Sequence, residues 1–310
     1  MSILTPTPDA IREAARVIRE GGLVVMPTET VYGLACHALN EKAVQRVYEI
    51  KGRPSDNPLI VHIADASWLP KVAREVSDLA KKLAEKYWPG PLTMVLPKQS
   101  SVPDLTTGGL DTVAVRVPSH PVARRLIEEA GVPVAAPSAN LFMALSPTSA
   151  QAVDPEISLE VPIILDGGPC EVGLESTVID LTDNPPRILR PGGVTRADLQ
   201  AMVGMPLGHQ PPSAIRKSPG QYERHYAPRA VVTIVDALEA NQAGLTFDQP
   251  SGPTQVRMPR DPKSYATALY GAMRRLDIMG VAEICVVAPP DSEEWEAVWD
   301  RLKKASAKLL

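Results

Sequence analysis

Aromatic side chains make up only 4% of the 310 residues, too few to build a stacking surface for single-stranded nucleic acid. A basic excess is missing too. With 32 Lys and Arg against 36 Asp and Glu, the formal charge is −4, so any phosphate chemistry must come from a local cluster and not from the bulk field. The three cysteines, Cys36, Cys170 and Cys285, stand far apart with no CxxC spacing. That argues against a disulfide framework or a zinc site and fits buried thiols in a reducing cytosol. No apolar run reaches the length of a membrane span, and Asp9, Arg12, Glu13 and Arg16 occupy the place where a signal peptide needs apolar residues. The expectation is a cytoplasmic protein with no membrane contact. GxxxxGK[ST], GxGxxG, HExxH and GxSxG are all absent, which disfavours a familiar ATPase, dehydrogenase or hydrolase.

What is present reads as an ordinary globular chain, 44% apolar and 22% charged, long enough for about two domains. Thr7, Pro8, the apolar set Ile11, Ala14, Ala15 and Ile18, and Gly21 spell a capped amphipathic helix. Short apolar runs follow at Leu23–Met26, Leu59–Ile63, Leu92–Leu96, Val113–Val117, Val134–Ala136, Pro162–Leu165 and Thr177–Leu181, and these predict strands. Helical patterns lie between them at about 41–51, 76–87, 119–130 and 195–203, with Asn40, Ser119 and Thr195 as expected caps. The alternation predicts an α/β fold, and the uneven spacing a mixed sheet. Residues 205–229 hold five prolines and four cations, Arg216, Lys217, Arg224 and Arg229, and read as a basic linker. Beyond it, Val231–Val235, a helix at about 263–279, Glu283–Ala288 and a helix at about 292–308 predict a second, smaller α/β unit. The division is therefore a catalytic domain over 1–204, a linker or lid over 205–229 and a C-terminal domain over 230–310.

Polar clusters stand at the ends of the apolar runs, where open α/β sheets place their ligands. Residues 27–34, PTETVYGL, form either a site or a turn whose hydroxyls satisfy the backbone. In Lys51-Gly52-Arg53, followed by Asn57 and His62, the cations complement a helix end or hold a polyphosphate, for which Arg offers a bidentate match and Lys a point charge. Arg116 falls inside an apolar alternation and needs either a ligand or a carboxylate. Residues 135–140, AAPSAN, then Ser146, offer close backbone approach, with Ser146 also a candidate helix cap. Glycine-rich turns at 167–168 and 192–193 accompany Ser176 and Arg190, repeating the same chemistry at other strand ends.

In order and spacing these segments resemble the YrdC-type threonylcarbamoyl-AMP synthase family in its longer, two-domain form. PTETVYGL, KGRPxxNPLIVHI, YWPGPLT, AVRVPxHP, APSAN with SPT, DGG, ESTVID, ILRPGG and SPGxxxxHYAP carry the likeness. The resemblance implies a YrdC-like twisted mixed sheet with flanking helices and a smaller Rossmann-like C-terminal domain. It implies a nucleotidyltransferase that makes L-threonylcarbamoyladenylate and pyrophosphate from ATP, L-threonine and bicarbonate or CO2, the first step of the tRNA t6A modification. Threonine would be held by Thr30, His62, Arg116, Ala136 and Ser176, with Arg116 on its carboxylate. ATP would meet Lys51, Arg53, Asn57, Thr112, Ser138, Ser146, Arg190 and Tyr226, with Lys51 and Arg53 the catalytic cations. No organic cofactor is implied, and magnesium would ride on ATP, since the motifs hold few carboxylates. The downstream partner would be the tRNA threonylcarbamoyl-transferase machinery, with a possible weak tRNA contact.

The linker is expected to close Arg224, His225 and Tyr226 over the bound nucleotide as a lid. One departure stands out. Phe142-Met143-Ala144 follows SAN, where the family usually has a Ser-Gly pair, and these side chains either reshape the nucleotide side or order the loop. A nucleic-acid-binding module and a carbamoyl-phosphate-dependent transferase are the alternative readings of such a fold. The acidic balance weighs against the first, and the lack of acylphosphatase and zinc-finger portions against the second.

Overall fold

The computed structural model describes residues 2–208 and 217–307. In chain order the larger unit runs β1 (Ser2–Leu4), α1 (Pro8–Arg19), β2 (Val24–Met26), β3 (Gly33–His37), α2 (Glu41–Lys51), β4 (Ile60–His62), α3 (Asp78–Tyr87) and β5 (Leu92–Pro97). It continues through β6 (Thr112–Arg116), α4 (Pro121–Ala130), β7 (Val134–Ala135), α5 (Pro155–Glu160), β8 (Ile163–Leu165), β9 (Thr177–Asp180), β10 (Arg187–Arg190) and α6 (Arg196–Val203). The smaller unit is β11 (Val231–Val235), β12 (Gly244–Thr246), β13 (Gln255–Arg257), α7 (Pro262–Ile278), β14 (Glu283–Val287) and α8 (Glu296–Ser306).

The ten strands of the larger unit form one mixed sheet in the order β1-β8-β2-β3-β7-β4-β6-β5-β9-β10. The smaller sheet, β11-β14-β12-β13, is parallel throughout. The predicted mixed α/β architecture with a second, smaller α/β unit is what the chain adopts. Its central strands read as unbroken apolar runs because layers of buried side chains cover the sheet: Val25, Leu34, Val61 and Val115 belong to one core cluster, and Val24, Ala35 and Val134 to another.

Local signals behave as the chemistry requires. Thr7 Oγ1 accepts the Ala10 amide at 3.2 Å with Pro8 in the first turn of α1, Asn40 caps α2, and Thr195 caps α6. Two expected caps need correction. Pro121, which has no N–H to lose, takes the first position of α4, so the cap is His120, whose Nδ1 accepts the Val122 amide, and not Ser119. Ser146 caps no helix, because its hydroxyl turns to the buried Glu175 carboxylate. The expected final helix starts with a 3-10 turn at Glu293–Trp295 before α8, and residue 308 lies outside the described residues.

Register builds the site. Parallel pairing of β4 with β6 sets His62 opposite Arg116, and parallel pairing of β5 with β9 sets Leu92 opposite Thr177, next to Ser176. The amide of Ala136, just past β7, donates to Ile60 O. The carboxyl ends of β4 and β6 thus lie beside the amino ends of β5 and β9, and the loop after β2 reaches them through Thr30, which accepts from Arg116.

Candidate active site

A small cavity of about 50 Å³ opens at these strand ends. Thr30, His62, Arg116, Ala136 and Ser176, the whole predicted threonine set, line it together. The turn after β2 is braced by Thr28, whose hydroxyl donates to Val31 O at 2.6 Å and lies 2.8 Å from Thr30 Oγ1. Arg116 is buried, donating from Nη1 to Thr30 Oγ1 at 2.8 Å and from Nε to Gly90 O at 3.2 Å. Its Nη2 lies 2.7 Å from Glu29 Oε1, both side chains being 4% exposed. Burial alone would raise the Glu29 carboxyl, and the Arg116 charge overrides it, so the pair is ionised. Burial, reinforced by Arg116, pushes His62 down to about 3, so the ring is neutral at pH 7, and its Nδ1 has no partner.

The nucleotide set divides. Arg53, Ser138, Arg190 and Tyr226 line the cavity, while Lys51, Asn57, Thr112 and Ser146 stand outside its lining. Lys51 ends α2 beneath the loop that follows β7, and its ammonium donates to Ser138 O at 2.6 Å and to Asn140 O. Arg53 donates to the carbonyls of Asn57 and Pro58, and Arg190 to Ser176 O, Ser176 Oγ and Pro219 O. Among the described residues none of these three buried cations has a carboxylate within ion-pair distance. Burial, with the Arg53 charge beside it, pushes Lys51 well below its ordinary value, and burial brings Arg53 down to about 10. Thr112 starts β6, roughly 13 Å up the strand from Arg116 on the same face. Its hydroxyl and both amide atoms of Asn57 are buried without partners.

The linker crosses this half of the site. Lys217 is tied to Asp180 at 2.9 Å, Pro219 and Gly220 reach the cavity wall, and His225 and Tyr226 cover it. Gly220 has φ +84, and a Cβ there would stand 2.3 Å from Tyr226 Oη, so the chain passes where no larger residue fits. Arg224 points away, donating to Ala307 O at 2.8 Å. Phe142 packs edge-on against Tyr222 (5.2 Å) and His225 (5.9 Å), and Met143, at φ +70, accepts the Ala227 amide on its carbonyl. The departure from SAN-Ser-Gly thus meets the linker and not the cavity. Arg216 lies outside the described residues.

Sequence reasoning placed no role on Glu29, Glu175, Tyr270 or Arg301. Glu29 and Glu175 lie inside quoted motifs, where their neighbours drew the attention, and the role of Arg301 shows only once α8 brings it to Glu175 in the turn before β9.

A family model for Sua5, YciO and YrdC proteins, described as telomere recombination, matches residues 16–192. The chain belongs to this family. A second model, described as the threonylcarbamoyl-AMP synthase C-terminal domain, matches residues 194–307. The threonylcarbamoyl-AMP synthase of Pyrococcus abyssi is 43% identical over 96% of this chain and 94% of its own length. That of Bacillus subtilis is 39% identical over 98% and 94%. The crystal structure of Pyrococcus abyssi Sua5 complexed with L-threonine superposes with a TM-score of 0.87 at 41% identity, covering 96% of this chain and 94% of that one.

Proposed function

We propose that the chain is a threonylcarbamoyl-AMP synthase, a nucleotidyltransferase that joins L-threonine, bicarbonate or CO2, and ATP into L-threonylcarbamoyladenylate with release of pyrophosphate. One observation carries the reading: Lys51, Arg53 and Arg190 are buried beside a cavity and hydrogen-bonded to carbonyl and hydroxyl oxygens, and among the described residues none of them has a carboxylate within ion-pair distance. Such an array is costly alone and favourable once a polyanion arrives. The full-length likeness to synthases and to a threonine complex supports the rest.

Arg116 takes the carboxylate of threonine, and neutral His62 offers a lone pair where a charge would repel the ammonium. The ammonium loses one proton to solvent, and the resulting amine adds CO2 with loss of a second, forming the N–C bond of a carbamate. Starting from bicarbonate, one water is released. A carbamate oxygen then bonds to the α-phosphorus of ATP as the bond to the bridging oxygen breaks, and pyrophosphate leaves with that electron pair. Arg53, Lys51 and Arg190 hold the phosphates, aligning the attack and stabilising the charge that develops. Asn57, Thr112, Ser138 and Ser146 serve the nucleoside side. Magnesium, when bound, neutralises phosphate charge and rides on ATP. Among the described residues no group of three or more His, Cys, Asp or Glu side chains converges to hold a metal. His225 and Tyr226, which line the cavity, belong to a lid that closes over ATP, while Arg224, bound to Ala307 O, stays outside it. The adenylate passes to a tRNA threonylcarbamoyl-transferase in the cytoplasm, with at most a weak tRNA contact here. No helix among the described residues is long and apolar enough to cross a membrane.

Pyrophosphate release from ATP and magnesium, compared with L-threonine and bicarbonate present and each omitted, tests the reading. Release that needs both, with the adenylate mass in the product, is the expected result. Release without threonine, or none from folded protein that binds ATP, overturns it.

A further inference from the structure

Glu175 sits at the junction of the two units and lines the cavity. Within the larger unit, Ser146 donates its hydroxyl hydrogen to Oε1. Across the junction, Tyr270 of α7 donates to Oε2 at 2.9 Å, and Arg301 of α8 reaches the same oxygen from Nε at 2.8 Å. Arg301 is 1% exposed. It also donates to Pro191 O at 3.0 Å, and its guanidinium lies 4.9 Å over the Tyr226 ring. Burial alone would raise the Glu175 carboxyl, but Arg301 and Arg190 hold it down at about 2, so it carries its charge. The end of α8 grips the linker as well: the His225 amide donates to Lys304 O at 3.2 Å.

A serine hydroxyl has one hydrogen to give. With that hydrogen on Glu175, Ser146 Oγ keeps only lone pairs, which accept from a hydroxyl or amino group and have nothing to offer a phosphate oxygen. We propose that Glu175 is a positioning residue for the nucleotide, through which the C-terminal unit acts on the reaction. Arg301 and Tyr270 fix the carboxylate, the carboxylate fixes Ser146 as an acceptor for the nucleoside, and Arg301 sets the Tyr226 ring over the cavity. This rests on ATP being a substrate, as proposed above.

The test uses the full chain and a nonhydrolysable ATP analogue, whose affinity is read by calorimetry so that binding is measured whether or not the protein turns over. Arg301→Met is expected to weaken the analogue by about tenfold, as the loss of a charged hydrogen-bond partner does. Affinity for L-threonine alone should move by less than about threefold, because Arg116 and Thr30 do not depend on Glu175. Arg301→Lys, which restores the charge, recovers most of the loss. Ser146→Ala weakens the analogue in the wild type and much less in the Arg301→Met background, since both changes break one chain of contacts. Tyr270→Phe removes one hydrogen bond and no charge, and keeps the question answerable if Arg301→Met does not fold. It should weaken the analogue a few-fold with threonine affinity held. Unchanged analogue affinity in these variants, parallel loss of threonine affinity, or full additivity with Ser146→Ala overturns the inference. Failure of the synthase reading is seen separately, as a wild type that binds both ligands and releases no pyrophosphate.

Discussion

Replacing Glu29 with glutamine should destabilise the empty protein and strengthen its grip on threonine. Arg116 and Glu29 are 4% exposed and 2.7 Å apart, so Gln leaves a guanidinium buried without a counter-charge. Breaking one partner of a buried pair costs about 3–5 kcal/mol. Arg116 keeps its bonds to Thr30 Oγ1 and Gly90 O, which argues for the lower end, about 3 kcal/mol. At about 2–4 °C per kcal/mol, the thermal midpoint falls by roughly 6–12 °C. The same change frees Arg116 for the carboxylate of threonine, which no longer competes with Glu29. If affinity rises tenfold, threonine at 100 times the wild-type dissociation constant adds about 2.7 kcal/mol to the wild type and about 4.1 kcal/mol to the variant. Thermal unfolding with and without threonine, alongside calorimetric titration, measures both terms. A variant that binds threonine more weakly than the wild type would refute the reasoning, because Glu29 would then be serving the ligand directly and not shielding Arg116.

Gly220→Ala puts a methyl group 2.3 Å from Tyr226 Oη and 2.8 Å from Arg190 Cδ at φ +84. The linker must lift, so pyrophosphate release should fall by about tenfold or more while threonine binding holds, and a wild-type rate would show that linker closure is not needed. Phe142→Ala removes edge-on contacts with Tyr222 and His225 worth about 0.5–1.5 kcal/mol beyond buried area. Pyrophosphate should then outrun recovered adenylate as water enters, and equal yields by mass detection would count against a latch. Acid should unfold the protein in two overlapping ranges. His62 and His225, pushed from the ordinary 6.5 to about 3 by burial, bind protons more readily unfolded, so stability is lost as pH falls from 6.5 toward 3. Glu175, held at about 2 against an ordinary 4.5, adds a loss from pH 4.5 toward 2, at about 1.4 kcal/mol per unit for each group. Denaturant midpoints at pH 7, 5 and 4 follow this, and a flat profile would contradict the burial of both rings.

Elements with strong periodicity or punctuation were legible in the sequence. The Thr7-Pro8 start of α1, the Asn40 cap and the stretch Val231–Val235 stand where their chemistry puts them. Among the short strands, β2, β4, β7 and β8 were readable as apolar runs, whereas β1, β3, β10, β12 and β13 were not, and β12 and β13 in particular gain their identity only from neighbours in the sheet. Within the site, the threonine-side residues could be found because strand ends and quoted motifs mark them. Arg301 and Tyr270 could not, since each reads as an ordinary helical residue about 100 positions or more from the carboxylate it serves. Burial of Arg116 was readable from its apolar alternation, and the choice between carboxylate and ligand was not, because it depends on a turn folding back from β2.

Charge placement explains why so acidic a chain can hold a polyphosphate. The net −4 is spread over solvent-facing positions such as Asp9, Asp78 and Glu294, where water and salt screen it within about 8–10 Å. Inside the site the balance reverses. Arg116 is matched by Glu29 and Arg301 by Glu175, while Lys51, Arg53 and Arg190 rest on carbonyl and hydroxyl dipoles. Those dipoles make the cations tolerable without cancelling their field, so the covered cavity remains poised for anionic groups. A carboxylate added nearby would stabilise the empty protein and oppose the nucleotide by the same interaction. The folded chain therefore gives up stability at the site that binding can recover, and it keeps the paired charges for the residues that fix geometry.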